Sequence, residues 1–115
     1  MMDNDIFLKI ISREIPADIV YEDDHCLAFH DIAPQAPVHV LVIPKRKTPK
    51  LSDFTPEKDP DVIHAFSKIP EIAKLLGLED FRVVLNNGEA ACQTVFHIHF
   101  HILGGKQLPW KEVHN

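Results

Sequence analysis

Apolar residues alternate with histidines near the C-terminal end of the chain. From Phe96 to Ile102 every second residue is apolar, and the residues between them are histidines. Because successive side chains of an extended strand point to opposite faces, this alternation predicts one long strand over residues 94–103, ended by Gly104 and Gly105. We expect the apolar face to pack in the core, which leaves the imidazole face for another purpose.

Shorter apolar runs predict four further strands. The first two are separated by a polar hairpin turn at residues 22–25, and a loop that contains two prolines leads into the third. The fourth strand is followed by a turn at residues 86–88. The predicted ranges are 19–21, 26–30, 38–43 and 81–85.

The first predicted helix is short. Apolar residues recur at helical spacing over residues 6–11, behind the capping candidates Asp3 and Asn4, and the helix must end before Pro16. We expect one side of this helix to lie on the sheet.

A second helix is predicted between the third and fourth strands. Asp59 can cap it, Pro60 suits its first position, and Gly77 can end it. Pro70 removes a backbone donor and clashes with the preceding turn, so we expect a bend or a break near Ile69. Apolar residues recur at spacings of four and three residues along this helix, and we expect them to lie in the core. They are Val62, Phe66, Ile69, Ala73 and Leu76.

Strand pairs on both sides of a helical segment predict an α+β fold, an antiparallel sheet with helices packed on it. The 115 residues, of which 45% are hydrophobic, suit a single domain over residues 1–115. No long apolar run indicates a membrane span or a secretory signal, so Cys26 and Cys92 are expected to be reduced in a cytoplasmic protein. The net charge of −5 argues against a nucleic-acid polymer as partner, and the basic run at 45–47 is interpreted as a solvated strand end.

The imidazole face is the candidate site. The three histidines are His97, His99 and His101. On one strand face, the backbone positions of neighbouring histidines are about 7 Å apart, so their rings can converge on a phosphate or a metal ion. A zinc site, with His39 as a further ligand, is one alternative. No Cys-x-x-Cys or acidic cluster completes a metal-binding pattern in the sequence.

Residues 97–103 fit the signature His-φ-His-φ-His-φ-φ, in which φ is apolar, and thereby resemble the histidine triad nucleotide-binding proteins. The segments 13–16 and 29–39 are similar to that family's exit from the first helix and to its loop into the third strand. Residues 102–106, followed by Trp110, resemble the Hint branch of the family. The resemblance implies a homodimer that hydrolyses purine nucleoside phosphoramidates without a cofactor.

The resemblance also implies catalytic roles. His99 is identified as the nucleophile that attacks the α-phosphorus and forms a nucleotidyl-histidine, which water then cleaves. A neutral imidazole is nucleophilic near pH 7, and a covalent intermediate divides one displacement into two easier ones. We expect a protonated His101 to donate to the phosphate or to the leaving amine, while His97 and His39 orient the site.

Binding positions follow from the same resemblance. Asp31 corresponds to the acceptor for the ribose hydroxyls, which suits a carboxylate. The positions around base and sugar are Phe7, Ile10, Phe29, His30, Ile32 and Leu41, and those at the phosphate are Asn86, Gln93 and Thr94. Cys92 lies in a segment, 89–92, where related chains are rich in glycine, so backbone approach to the phosphate is less free there. Trp110 is a binding candidate that could equally serve as a lid or an anchor.

Two other functions stay open beside phosphoramidate hydrolysis and the metal site. A hydrolase of dinucleoside polyphosphates would cut a different bond at the same site. A nucleotide-binding regulatory module would bind tightly and turn over little.

Overall fold

Five strands form one antiparallel sheet with helices on both faces, which confirms the predicted α+β class. The structure is a computed structural model that describes residues 5–110. The strand order is β1-β2-β3-β5-β4, and every neighbouring pair is antiparallel. The strands are β1 (Ile19–Glu22), β2 (Cys26–His30), β3 (Val38–Pro44), β4 (Phe81–Val84) and β5 (Phe100–Gly104), and the helices are α1 (Ile6–Ile11), α2 (Pro60–Ser67) and α3 (Ile69–Leu75). Two 3-10 turns span Leu51–Asp53 and Glu89–Ala91.

The sheet is buried on both faces, so its central strands are nearly continuous in apolar residues. One face packs under α2 and α3, and its cluster includes Ala28, Val40, Val42, Val62, Ile72 and Ile102. The other face packs under α1, and its cluster consists of Phe7, Ile10, Leu27, Phe29, Leu41 and Ile43. Helix α1 therefore covers the face on which His39 and His101 lie.

The cap of α1 differs from the prediction. The capping residue is Asp5, whose carboxylate accepts hydrogen bonds from the backbone N–H groups of Phe7, at 2.9 Å, and Leu8, at 3.2 Å. The candidates Asp3 and Asn4 lie outside the described residues. Asp5 stands immediately before the first apolar residue of the helix, which is where a capping side chain reaches the free amides of the first turn.

Pro70 divides the predicted second helix into α2 and α3, and Gly77, at φ +75°, follows the end of α3 as expected. Two details are wrong. The Asp59 carboxylate does not cap α2 but accepts from the Thr48 hydroxyl, at 2.8 Å, and from a backbone amide. Phe66 is 58% exposed rather than part of the core, since the buried side of α2 consists of Val62 and Ala65.

The histidine-bearing strand is shorter than predicted. Strand β5 begins at Phe100, so only His101 of the three histidines lies in it. The preceding backbone turns toward the segment after β3, where the Ile98 N–H donates to the Thr48 carbonyl at 2.8 Å. As a result Phe96 is 40% exposed instead of packing with Ile98, which is fully buried.

Two further expectations from the sequence concern membrane spans and the two cysteines. Over residues 5–110, no helix has the length and apolar character that crossing a membrane requires. The two cysteines are not joined to each other, since Cys26 is buried and Cys92 is exposed, and both are free thiols.

The core under α3 gives a prediction about stability. Replacing the fully buried Ile72 with alanine should lower the free energy of unfolding by about 2–5 kcal/mol, because it removes apolar contacts and leaves a cavity. Leu75, on the same helix and 61% exposed, is the matched control, and Leu75→Ala should cost less than about 1 kcal/mol. Urea denaturation measures both changes. Equal losses would contradict this assignment of the buried helix face.

Candidate active site

The pairing of β3 with β5 brings two distant histidines together. In this register Leu41 lies opposite His101 and His39 lies opposite Leu103, so the two histidines are diagonal neighbours on one face. Their rings meet directly, with His39 Nε2 2.9 Å from His101 Nδ1.

The hydrogen-bond partners set the direction of this contact. The Gln35 backbone N–H donates to His39 Nδ1 at 3.0 Å, so that nitrogen carries a lone pair. In a neutral ring the hydrogen then lies on His39 Nε2, which donates to His101 Nδ1. His101 in turn carries its hydrogen on Nε2. This relay over Gln35, His39 and His101 ends in an N–H group that can donate to a bound group.

His99 has the opposite arrangement. Its Nδ1 lies 2.8 Å from the His97 carbonyl oxygen, which can only accept, so Nδ1 carries the hydrogen and Nε2 carries the lone pair. Phe7 presses against the ring in an edge-on contact with a centroid distance of 5.0 Å. Burial lowers the pKa of His99 and outweighs the hydrogen bond to the His97 carbonyl, which favours the charged ring. His99 is therefore a neutral imidazole with an available lone pair at neutral pH.

His101 is also neutral in the free protein. Burial, and then the repulsion of positive charge on His99 and His39, lowers its pKa to about 4. The expectation of a protonated His101 is therefore not met before substrate binds. The hydrogen on Nε2 still allows His101 to donate a hydrogen bond as a neutral ring.

His97 does not join the other two imidazoles. It is fully buried, with Nδ1 2.8 Å from the Asp5 carboxylate and Nε2 2.7 Å from the Pro44 carbonyl oxygen. The expected convergence of three rings on one strand face is wrong, because His97 and His99 precede β5 and their chain turns. His39, His99 and His101 are the three histidines that come together.

A cleft of about 240 Å³ lies between α1 and the sheet, in front of His99 and His101. Every residue that the resemblance assigned to base and sugar lines it, namely Phe7, Ile10, Phe29, His30, Ile32 and Leu41, and it also contains Asp31 and Thr94. Ile32 is 97% exposed, so its apolar side chain is available to an entering ring. The cleft thus has apolar walls and a polar end.

A second cleft, of about 450 Å³, lies on the other side of His101. Its lining contains Gln35, His39, Val84, Asn86, Cys92 and Leu103, together with His101. Asn86 and Cys92 therefore lie here and not beside the first cleft. Cys92 has φ +71°, in the left-handed region that favours glycine. Because His101 lines both clefts, a molecule that extends through both would place its central group at His99 and His101.

Two predicted binding residues line neither cleft. The Gln93 side chain is nearly buried and holds its own loop, since it accepts from the Gly88 N–H at 2.7 Å and donates to the Pro49 carbonyl at 2.8 Å. Trp110 is 73% exposed, with the Arg82 guanidinium 5.8 Å from its ring centroid. The structure therefore shows a structural role for Gln93 and no contact of Trp110 with the site.

Asp31 closes the polar end of the first cleft. One carboxylate oxygen accepts from the Ala33 N–H at 2.8 Å, and the other lies 3.5 Å from His39 Nε2. Asp31, His39 and His101 each offer a ligand atom within 4.8 Å of the others, a spacing compatible with a metal ion. The nitrogens of His39 are already used in the relay, so we interpret the group as hydrogen-bonded side chains and not as a metal centre.

Sequence reasoning missed three contributors to this site. Asp5 was visible as the acidic residue directly before the first apolar helical position, but its contact with His97 spans 92 residues and has no local signal. Lys47, which was placed in a solvated basic run, lies 3.2 Å from the Asp5 carboxylate. Gln35 acts through its backbone N–H, which no residue pattern reveals.

The chain matches proteins with known sequences over nearly its whole length. Residues 12–108 match the family model of the HIT domain. An uncharacterized HIT-like protein of Synechocystis sp. is 58% identical over 111 residues, which cover 96% of this chain and 97% of that protein. An uncharacterized HIT-like protein of Rickettsia prowazekii is 51% identical over 106 residues, which cover 90% and 88% of the two chains.

Solved structures show the same fold. A HIT family hydrolase from Legionella pneumophila superimposes with a TM-score of 0.88 at 39% identity, over 94% of this chain and 98% of the other. A histidine triad protein from Clostridium difficile superimposes with a TM-score of 0.85 at 45% identity, over 95% and 96% of the two chains.

The relay gives a prediction about titration. In the free protein the His101 ring should titrate with a midpoint near 4, because burial and the two neighbouring imidazoles oppose its positive charge. Histidine-selective NMR, with His101→Asn to assign the resonance, measures this midpoint. A midpoint near the ordinary histidine value of about 6.5 would contradict the buried, neutral relay.

Proposed function

This chain belongs to the HIT domain family, and on that premise we propose that it hydrolyses purine nucleoside 5′-phosphoramidates, releasing a nucleoside monophosphate and an amine. The observation that supports this most directly is the neutral His99 ring, whose Nδ1 hydrogen is fixed by a backbone carbonyl and whose Nε2 lone pair is left for the cleft. Solved relatives named HIT family hydrolases support hydrolysis as the reaction class.

The two clefts suggest how the substrate lies. The apolar walls of the first cleft suit a purine, and Asp31 at its polar end suits the ribose hydroxyls. The phosphorus then lies between the first and second clefts, beside His99 and His101. The amine extends into the second cleft, where Asn86 and Gln35 offer polar contacts.

The reaction would proceed in two displacements. His99 Nε2 attacks the phosphorus, the P–N bond breaks, and the departing nitrogen takes a proton from His101 Nε2. The negative phosphate favours positive charge beside it, so that a proton from solvent enters the hydrogen-bonded pair of His39 and His101 when substrate binds, and both rings are neutral after His101 Nε2 has delivered its proton. Water then attacks the phosphorus of nucleotidyl-His99, its proton passes to His101 Nε2, and the bond from phosphorus to His99 Nε2 breaks, which releases the monophosphate.

We also propose that the protein works as a homodimer. Strand β4 is an edge of the sheet, and its Phe81 and Val83 side chains are 37% and 38% exposed. An edge strand with exposed apolar side chains is a surface on which a second chain can pair. The second cleft is lined in part by β4, through Val84, so a partner there would lie close to the leaving amine.

The activity prediction concerns release of AMP from adenosine 5′-phosphoramidate by the purified protein in the presence of a chelator. Wild type should turn over, because the mechanism needs no metal ion. His99→Asn should reduce kcat by at least about a thousandfold, since the nucleophile is lost. Nucleotide binding should survive this substitution, because the cleft walls are unchanged.

Other outcomes would identify the alternatives. Tight nucleotide binding by wild type without turnover would favour a regulatory module. Preferred cleavage of a dinucleoside polyphosphate would favour that hydrolase activity. Activity that disappears with the chelator and returns with zinc would contradict the metal-free mechanism.

The dimer prediction concerns mass in solution. Sedimentation equilibrium should give twice the chain mass of 13.1 kDa, and Val83→Lys should shift the protein toward the monomer by placing a charge on the apolar edge. Ile63→Lys, at a 49% exposed apolar residue of α2, is the matched control away from β4. A wild-type monomer would contradict the proposal.

A further inference from the structure

The charged group behind the nucleophile consists of Asp5, Lys47 and His97. Asp5 is 5% exposed and His97 is fully buried, and the Asp5 carboxylate contacts His97 Nδ1 at 2.8 Å and Lys47 Nζ at 3.2 Å. Nothing in the hydrolysis proposed above uses these contacts. Buried charges are retained only where they are paired, so their place directly behind the reacting ring calls for an explanation.

The two contacts of His97 determine its protonation. Nδ1 faces a carboxylate and Nε2 faces the Pro44 carbonyl oxygen at 2.7 Å, and neither oxygen has a hydrogen to give. A neutral ring would leave one nitrogen lone pair pointing at an oxygen lone pair. Although burial opposes ionisation, the hydrogen bond and charge of His97 and the contact with Lys47 lower the pKa of Asp5 to about 2. Both nitrogens of His97 therefore carry hydrogens, and the ring is a buried imidazolium.

We infer that Asp5 is a positioning residue of the active site, which holds His97 with a hydrogen on each ring nitrogen and thereby fixes the orientation and the neutral state of the nucleophile His99. The expected effect of Asp5 on the reaction rate rests on the proposed function. Asp5 acts through His97 and touches neither the clefts nor the proposed reacting atoms.

The first effect is geometric. The His97 ring is held at both nitrogens, so its backbone carbonyl is held as well, and that carbonyl accepts the hydrogen of His99 Nδ1 at 2.8 Å. The other Asp5 oxygen accepts from the first-turn amides of α1, including that of Phe7. Phe7 in turn contacts both the His97 and the His99 rings. One carboxylate thus links the helix that walls the first cleft to the tautomer of the nucleophile.

The second effect is electrostatic. Among residues 5–110, the charged groups that face His97 are Asp5 and Lys47. Those that act on His99 are His97, Asp31 and Asp5, with His101 as its ring neighbour. Burial has the largest effect and lowers the pKa of His99, and the positive charge of His97 lowers it as well, while the hydrogen bond to the His97 carbonyl and the two carboxylates raise it. The charge of His97 has a larger effect on this pKa than the charge of Asp5. The charge of His97 thus opposes part of the rise in the His99 pKa that the carbonyl hydrogen bond causes, and its loss would favour protonation of His99.

Asp5→Asn tests the inference because it keeps the shape of the side chain and its capping oxygen. The amide can donate to His97 Nδ1, which allows His97 to become neutral while Nε2–H still donates to Pro44. The positive charge beside His99 is then lost, the pKa of His99 rises, and the acid limb of the kcat/KM profile should move to higher pH. At pH 7 we expect kcat to fall by about tenfold with little change in KM, as for other residues that orient a reacting group.

Asp23→Asn is the matched control. Asp23 also pairs with a histidine, His64 Nε2 at 2.7 Å, and accepts from backbone amides, but it lies in the β1–β2 turn and lines neither cleft. Both substitutions should lower the stability, whereas only Asp5→Asn should move the acid limb. A coincident pH profile for Asp5→Asn and wild type would overturn the inference, as would an equal shift in Asp23→Asn.

A second measurement does not depend on the variant folding or on the activity. Nitrogen-15 NMR of wild type at pH 7 should show His97 with hydrogens on both ring nitrogens and His99 with a hydrogen on Nδ1 alone. A neutral His97 would overturn the inference. If His97 is charged but wild type hydrolyses no phosphoramidate, the proposed function fails and the charge assignment stands.

Discussion

The active site depends above all on the antiparallel pairing of β3 with β5. His39 and His101 are 62 residues apart in sequence, and this register alone makes them diagonal neighbours with their ring nitrogens 2.9 Å apart. A slip of one residue would send every side chain of β5 to the opposite face, so His101 would face α2 and α3 instead of the cleft. The fully buried Val40 and Ile102, which pair across the same two strands, make such a slip costly. Packing on one face of the sheet therefore fixes the strand register that places His39 beside His101 on the other face.

Much of the fold could be predicted because its signals are local. Strand β2 was predicted at its observed limits, and the break at Pro70 follows from the missing amide hydrogen of proline. The start of β5 was not predictable in the same way. The alternation of apolar residues and histidines continues back to Phe96. That segment nevertheless leaves the sheet, since Ile98 hydrogen-bonds to the Thr48 carbonyl and His97 contacts the Asp5 carboxylate. Those partners lie about 50 and 92 residues away in sequence, where periodicity carries no information.

The candidate site could likewise be predicted only in part. Residues such as Phe29 and Leu41 were identified from the resemblance as binding candidates, and in the structure they line the first cleft. The roles of His97 and Gln93 could not be identified in this way, because residue type does not distinguish a side chain that faces a ligand from one that holds a loop. Gln93 uses its amide on the backbone of its own segment, and His97 uses both nitrogens inside the protein. Only the partners of each polar atom separate the two cases.

The four histidines of the site differ in charge and tautomer because each has different oxygen and nitrogen neighbours. His97 lies between two acceptors and is a cation, whereas His39 receives a backbone N–H and passes its own hydrogen to His101. His99 donates to a carbonyl and keeps a lone pair. Burial alone would make all four rings neutral without choosing which nitrogen is bare. The backbone groups of Gln35, Pro44 and His97 make that choice, so the division into nucleophile, donor and charged support is set by the path of the main chain.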